Sequence, residues 1–199
     1  MSEWSSYSLH DLLIFSPDSY FRLYERSNLA FWPFQLLMIA IALLMLYLTM
    51  VRTIRGQLFI LAGLVLFWLL SGWWFIGRYY TQINTIADWY FWLFMIQAAL
   101  MALYAVFTYR RTSLYAPAGD AVLGVGLGIA GYSVLIHPFL IVLSGRNWLG
   151  SELIAIAPDP VAIGTIGFVL AMSASKSRYL LLVIPLLWLL VAVATYSTF

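Results

Sequence analysis

Long apolar stretches separated by short polar links are the feature that most restricts the fold of this chain. A backbone surrounded by lipid must satisfy its own hydrogen bonds, as helices or as a closed barrel. Barrel strands alternate apolar and polar side chains over about ten residues. These stretches are instead continuously apolar, and a helix of roughly 20 residues crosses a bilayer, so membrane-spanning helices are predicted. The six stretches lie at about 29–51, 57–76, 83–107, 120–143, 160–174 and 179–198.

Composition excludes an ordinary water-soluble domain. Hydrophobic residues make up 64% of the 199 residues and charged residues 9%, whereas soluble domains are about 45–50% apolar and about 25% charged. The predicted fold is therefore an all-α polytopic membrane protein. Residues 29–199 would form a bundle of six transmembrane helices, and residues 1–28 would form an N-terminal segment of interfacial amphipathic helices.

The distribution of charge predicts an orientation. The links after the first, third and fifth stretches carry six basic residues and one acidic residue. The positive-inside rule places such links in the cytoplasm. We therefore expect a multi-pass protein of a bacterial inner membrane with both termini outside, in the periplasm of a Gram-negative host. The charged residues of these links are Arg52, Arg55, Arg110, Arg111, Asp120, Lys176 and Arg178.

The N-terminal segment contains two patterns that start helices. Ser8 with Asp11 resembles a capping box, and Ser16–Pro17–Asp18 places a cap, a proline and an acid in helix-starting order. Aromatic and charged residues alternate after Asp18 in the manner of a helix that lies in the membrane interface. Two interpretations remain open: the segment is an anchor, or it is a lid over a site.

Polar residues with possible chemistry fall at the predicted outer ends of the helices. His137 lies near the end of the fourth stretch, and the long link after it contains two acids and an arginine. Arg78 belongs to the link before the third stretch, and Asp88 lies near the start of that stretch. We expect all of these residues to meet in one outer vestibule: His137, Arg146, Glu152, Asp159, Asp88 and Arg78.

Three interpretations of this vestibule compete. In the structural one, Arg146 and Arg78 pair with the carboxylates, and His137 bonds to a carbonyl group freed by Pro138. In the second, His137 and carboxylates bind a small polar solute or a metal ion, with zinc, copper(II) or manganese suited to nitrogen and oxygen ligands. In the third, His137 acts as an acid or base. No nucleophile motif accompanies it, so the chain is not expected to be an enzyme.

Several cofactors and partners are excluded by residue type. The chain has no cysteine, so neither disulfides nor iron–sulfur clusters are expected. Its two histidines, His10 and His137, do not suffice to ligate two b-type haems. A net charge of +2 gives no reason to expect a nucleic-acid partner. No charged residue is predicted near the bilayer centre, which weighs against a proton-coupled transporter.

Small residues at helical spacing predict close helix packing. Gly124 and Gly128, extended by Gly131, form one small-xxx-small pattern, and Gly167 with Ala171 forms another. Such residues let helix backbones approach closely. They favour contacts between helices of this chain or with neighbouring membrane proteins.

Two stretches together resemble a known family. They are FSPDSYFRLYERSNLAFWPFQLL and HPFL…GRNW…SELIAIAPDPVAIGTIGFVL. They are similar to an uncharacterised family of small six-helix bacterial inner-membrane proteins, a domain of unknown function. The resemblance implies a bacterial inner-membrane protein of about six helices and supplies neither substrate nor catalytic residues.

Two classes of function follow from these expectations. The first is a non-catalytic accessory subunit that packs in the bilayer against other membrane proteins or against itself. The second is a small transporter, or a membrane protein that binds a solute or metal, with its site at the outer face. A cavity leading from the vestibule toward Gln97 would favour the second class.

Overall fold

The computed structural model describes residues 17–110, 118–172 and 176–197, and the regular secondary structure of these residues is entirely helical. The all-α class is therefore confirmed. The predicted capping box at Ser8 and Asp11 lies outside the described residues. The helices are α1 (Pro17–Phe31), α2 (Phe34–Val51), α3 (Ile54–Leu70), α4 (Ala87–Arg110), α5 (Asp120–Gly131), α6 (Leu140–Leu143), α7 (Pro158–Met172) and α8 (Val183–Tyr196).

Five helical segments are long and apolar enough to cross a membrane. Three of them combine several elements. π-helical turns at Ser71–Ile76 and Tyr132–Ile136 continue α3 and α5, and the 3₁₀ helix Lys176–Leu182 precedes α8. All five coincide with predicted stretches. They are Phe34–Val51, Ile54–Gln82, Ala87–Arg110, Asp120–Leu143 and Lys176–Tyr196.

The remaining predicted stretch forms α7, a helix that is short and enclosed by protein. Its 15 residues extend about 22 Å at 1.5 Å per residue, less than the roughly 30 Å of a hydrocarbon core. The count of six spans is therefore not confirmed. Twelve of these residues are buried, and α3, α5 and α8 pack around the helix. Its continuous apolar sequence thus reflects burial on every side.

The tightest helix contact joins α7 to α5 through residues without large side chains. A Cβ atom on Gly126 would lie 2.6 Å from the Gly167 carbonyl oxygen and 2.7 Å from the Ala171 nitrogen. Gly167 and Ala171 therefore support a close approach, as predicted. On α5, however, Gly126 makes this contact. Gly124 and Gly128 face outward, with nothing outside their own helix within 4 Å of an added Cβ atom.

The links group at two ends of the bundle. At one end, Arg52 after α2 pairs with Asp120 at the start of α5. At the other end, the Tyr20 ring of α1 packs edge-on against Tyr80 and against Tyr196 at the end of α8. Successive antiparallel helices produce this grouping, and it collects the chemically interesting links at the second end.

Helix α1 packs into that second end of the bundle. It begins at Pro17 with Asp18 in its first turn, as the sequence predicts. Tyr24 is fully buried and stacks on Phe75 with ring centroids 4.2 Å apart. The Asn28 amide donates to the carbonyl oxygens of Leu149 and Ser151. These contacts fasten α1 over the link that follows α6.

Gly126 faces α7 and Gly124 faces outward, so alanine substitutions at these two positions form a matched test of the helix packing. Gly126→Ala should destabilise the protein by about 1–3 kcal/mol, the usual cost of overpacking. Gly124→Ala should be neutral or stabilising by up to about 1 kcal/mol, because alanine favours helix and nothing obstructs its Cβ atom. The free energy of unfolding in detergent measures both. Equal destabilisation by the two substitutions would contradict the packing of α5 on α7.

Candidate functional site

A group of polar side chains, of which Glu152, Asp159 and Trp188 are buried, lies at the end of the bundle that α1 covers. We call His137, Glu152, Asp159, Trp188 and Tyr196 the polar cluster. His137 Nε2 lies 2.9 Å from Glu152 Oε2, and the Tyr196 hydroxyl donates to Glu152 Oε1. Trp188 Nε1 donates to Asp159 Oδ1 at 2.7 Å. Three helical segments and the link before α7 thus bring carboxylates and donors together.

Irregular backbone positions His137 and Glu152. The π-helical turn Tyr132–Ile136 ends at His137, which begins a 3₁₀ turn with Pro138. Proline has no backbone N–H and interrupts helical bonding, so the helix changes course there. In the facing link, the non-glycine residue Ala155 has φ 79° and is fully buried. Such a conformation costs about 1–3 kcal/mol and is most often found at functional sites.

Asp159 is placed by the start of α7. It lies in the first helical turn, where unpaired backbone N–H groups favour a carboxylate. Yet the side chain is only 4% exposed. Asp159 precedes the stretch predicted to span a membrane at 160–174. Burial, and next the charge of Glu152, raise the pKa of Asp159 to about 7, against the opposing effects of the Trp188 hydrogen bond and of His137.

Tyrosine hydroxyl groups of α1 border the two acids. The Tyr20 and Tyr24 hydroxyl oxygens lie 3.1 Å apart. Burial, reinforced by the charges of Asp159 and Glu152, holds the pKa of Tyr20 well above its usual value. This tyrosine therefore stays protonated. The groups that face the two acids are the hydroxyl groups of tyrosines, the Trp188 indole and the His137 imidazole.

A cavity of about 380 Å³ opens beside the polar cluster. Its volume falls within the range of small-molecule sites, about 300–1,000 Å³. The Nδ1 atom of His137 is buried and has no hydrogen-bond partner among the described residues. The lining of the cavity thus combines three side chains able to form hydrogen bonds, His137, Glu152 and Tyr196, with apolar ones. It is lined by Phe21, His137, Leu140, Ile141, Ser144, Glu152 and Tyr196.

Three of the six residues predicted for the vestibule come together: His137, Glu152 and Asp159. Arg146 donates to Asp18 at 2.9 Å, and its guanidinium lies 4.2 Å from the centre of the Phe21 ring. It therefore borders the cavity without pairing with either buried acid.

The other two predicted residues, Arg78 and Asp88, line a different pocket. The expected single vestibule is thus two separate places. The pairings of the structural interpretation are also not the ones present, since His137 contacts Glu152 rather than a backbone carbonyl.

Sequence reasoning missed Trp188 and Tyr196. Both lie in an apolar stretch where aromatic residues are typical of a membrane interface, so residue type alone did not distinguish them. The sequence signal that pointed to these two residues was the pair of acids that they contact, Glu152 and Asp159. A buried carboxylate needs donors, and an aromatic N–H or O–H on a neighbouring helix is able to supply one.

A metal centre gains little support. Among residues 17–110, 118–172 and 176–197, no group of three or more histidine, aspartate or glutamate side chains is arranged to hold a metal ion. His137 Nε2 already contacts Glu152. The interpretation of His137 as a metal ligand therefore rests on its Nδ1 atom alone.

Comparison with known proteins assigns a family and no activity. The family described as "Family of unknown function (DUF6064)" matches residues 17–199. This match confirms the resemblance to an uncharacterised family. No curated protein and no solved structure matches the chain.

The raised pKa of Asp159 predicts a pH dependence of stability. Between pH 4 and 7 the folded state holds this proton and the unfolded state releases it, so the contribution of Asp159 to stability falls as pH rises and then levels off above pH 7. The effect amounts to about 1.4 kcal/mol per pKa unit at most. The free energy of unfolding of the wild type, relative to Asp159→Asn, should therefore decline across this interval. A difference that stays constant from pH 4 to 8 would contradict the assignment.

Proposed function

We propose that this chain, which belongs to the family of unknown function DUF6064, is a membrane protein that binds a small polar solute in the cavity beside the polar cluster. One observation carries the proposal. The buried Nδ1 atom of His137 has no described partner, and its ring lines a cavity together with Glu152 and Tyr196. A buried polar atom without a partner costs about 1–3 kcal/mol, and a solute that reached this atom from the cavity would remove that cost.

The chemistry of the cavity favours a solute with an O–H or N–H group. Glu152 accepts a hydrogen bond from Tyr196 and lies against Nε2 of His137. When Nε2 donates to Glu152, neutral His137 keeps a lone pair on Nδ1 that accepts from a donor. The opposite wall is apolar, with Phe21, Leu140 and Ile141. A neutral alcohol or amide with a compact apolar body matches both ends.

Binding is better supported than transport. Gln97 was the residue toward which a transport path was expected to lead. It is completely buried, and its amide donates to the Leu181 carbonyl oxygen. The lining of the cavity beside His137 does not include it. We therefore favour a site that takes up and holds a solute at one end of the bundle.

Six membrane crossings, with both termini outside a bacterial inner membrane, remain part of this proposal. Five helical segments have the necessary length and apolarity. Helix α7 runs between the two ends of the bundle: Asp159 joins the polar cluster, and Met172 borders a pocket with Arg52 at the opposite end. A short helix wrapped by longer ones would thus supply the sixth crossing, and the basic links would face the cytoplasm.

Histidine spectroscopy tests solute binding directly. His10→Gln leaves His137 as the single histidine, so ¹⁵N-histidine NMR reports on that ring alone. Benzyl alcohol, which carries a donor and an apolar body, should shift the Nδ1 resonance saturably. Toluene has nearly the same shape without the donor and should not. Leu140→Trp, which narrows the cavity, should weaken the response to benzyl alcohol about tenfold or more.

The response of the His137 Nδ1 resonance also decides against the proposal. In folded protein, an Nδ1 resonance that is insensitive to benzyl alcohol, or equally sensitive to toluene, would exclude donor recognition by His137. A response unchanged by Leu140→Trp would place the probe outside the cavity.

A second candidate function, a non-catalytic accessory subunit, is favoured by a different observation. Gly124 and Gly128 are exposed, and nothing outside their own helix lies within 4 Å of an added Cβ atom. Small residues on a lipid-facing surface allow another helix to approach closely. The partner would be another membrane protein or a second copy of this chain.

Native mass spectrometry of gently extracted protein tests this second function. The wild type should carry a partner at fixed stoichiometry, and Gly124→Leu with Gly128→Leu should remove it by blocking the close approach. Leu103→Phe, at an exposed position on α4, is the control and should retain the partner. A single chain in the wild type, or a partner retained by the double variant, would count against the subunit role.

A further inference from the structure

We infer a second binding site, for the headgroup of a zwitterionic phospholipid, in the pocket between the end of the α3 segment and the start of α4. We call it the headgroup pocket. It is separate from the cavity beside His137 and does not depend on the proposed function. Its volume is about 390 Å³, and it is lined by Trp73, Trp74, Gly77, Arg78, Asp88 and Phe91.

The pocket is formed by local backbone features. The π-helical turn Ser71–Ile76 ends at Gly77, where a Cβ atom would lie 3.1 Å from the Trp73 carbonyl oxygen and 3.2 Å from Phe91 Cδ2. Glycine therefore allows Phe91 of α4 to close one wall. Asp88 lies in the first turn of α4, so its carboxylate is held at the rim.

The two charges of the pocket are opposite and unpaired. Arg78 and Asp88 are both exposed, and within the described ranges neither forms an ion pair. They line one pocket, so a ligand that carries both charges is able to meet them together. An anionic headgroup would encounter the Asp88 carboxylate, whereas a zwitterion complements both residues.

The aromatic residues of the pocket fit the same ligand. The Trp74 ring is fixed by its Nε1 donation to the Ser27 hydroxyl, and the Arg78 guanidinium lies 4.9 Å from the ring centre. A guanidinium held in this way presents its remaining N–H groups to a phosphate. The exposed indole of Trp73 offers a face to an ammonium group, next to the Asp88 carboxylate.

An apolar track leads away from the pocket along α4. Trp92 and Ile96 follow Asp88 at intervals of four residues, so the three share one helix face. Both are at least half exposed, at 61% and 50%. A lipid anchored at Asp88 and Arg78 would lay an acyl chain along this track. The track is the reason to identify the occupant as a membrane lipid rather than a soluble phosphate compound.

Lipid titration followed by native mass spectrometry tests the inference. Delipidated protein in detergent should bind phosphatidylethanolamine more tightly than phosphatidylglycerol with the same acyl chains, by about fivefold, the equivalent of about 1 kcal/mol. Asp88→Asn should abolish or reverse this preference, since Arg78 then acts alone on the phosphate. Arg78→Gln should weaken both lipids.

The matched controls are Arg146→Gln and Asp18→Asn, which remove an exposed ion pair outside the pocket and should leave the preference unchanged. Equal binding of the two lipids by the wild type, or a preference that Asp88→Asn leaves intact, would overturn the inference. Glycerophosphoethanolamine, which lacks acyl chains, should bind far more weakly than the lipid. Equal affinity would identify a soluble compound as the occupant and overturn the lipid assignment.

The headgroup pocket and the solute cavity have different lining residues, so the two proposals are tested independently. The NMR response of His137 to benzyl alcohol should be the same in Asp88→Asn as in the parent protein, because Asp88 does not line that cavity.

Discussion

The enclosure of α7 by other helices is the constraint on which the rest of the structure depends. The helix has room at the centre of the bundle because Gly126 and Gly167 let α5 and α7 approach until their backbones nearly touch. Burial on all sides excludes both water and lipid from its first turn. A carboxylate at that position, Asp159, must then find its hydrogen-bond donors within the protein. The polar cluster is therefore a consequence of how the central helix packs.

The elements around α7 supply the hydrogen-bond donors that the buried acids need. Trp188 of α8 supplies a donor to Asp159, and Tyr196, two turns further along, supplies one to Glu152. Helix α1 completes the enclosure with Tyr20 and Tyr24. Each contributes a polar group, and His137 makes a further contact with Glu152. Burial and mutual repulsion then raise the pKa of Asp159, which makes this end of the bundle sensitive to proton concentration near neutrality.

Hydrophobic pattern was sufficient to predict where the helices lie, because burial in protein and burial in lipid require the same residues. For that reason it did not distinguish α7, which is surrounded by protein, from helices that present a face to the surroundings. The glycines of α5 show a similar limit. Gly124 and Gly128 share one helix face and Gly126 lies on another, and the small-xxx-small spacing predicted a contact only for the first face. Only the position of Gly167 on α7 decides which of them is used inside the chain.

The contrast between Glu152 and Asp88 explains why the predicted vestibule divides into two sites. Both lie at the same end of the bundle, Glu152 in a link and Asp88 in the first turn of α4, and sequence position alone grouped them. Glu152 lies in a link that α1 fastens down through Asn28, so it is buried and engaged by two partners. Asp88 begins a helix whose first turn stays exposed, and nothing in the described chain pairs with it. The enclosed acid is the one that we propose to face a small solute, whereas the open acid, with Arg78 across its pocket, is the one that we infer to meet a lipid headgroup.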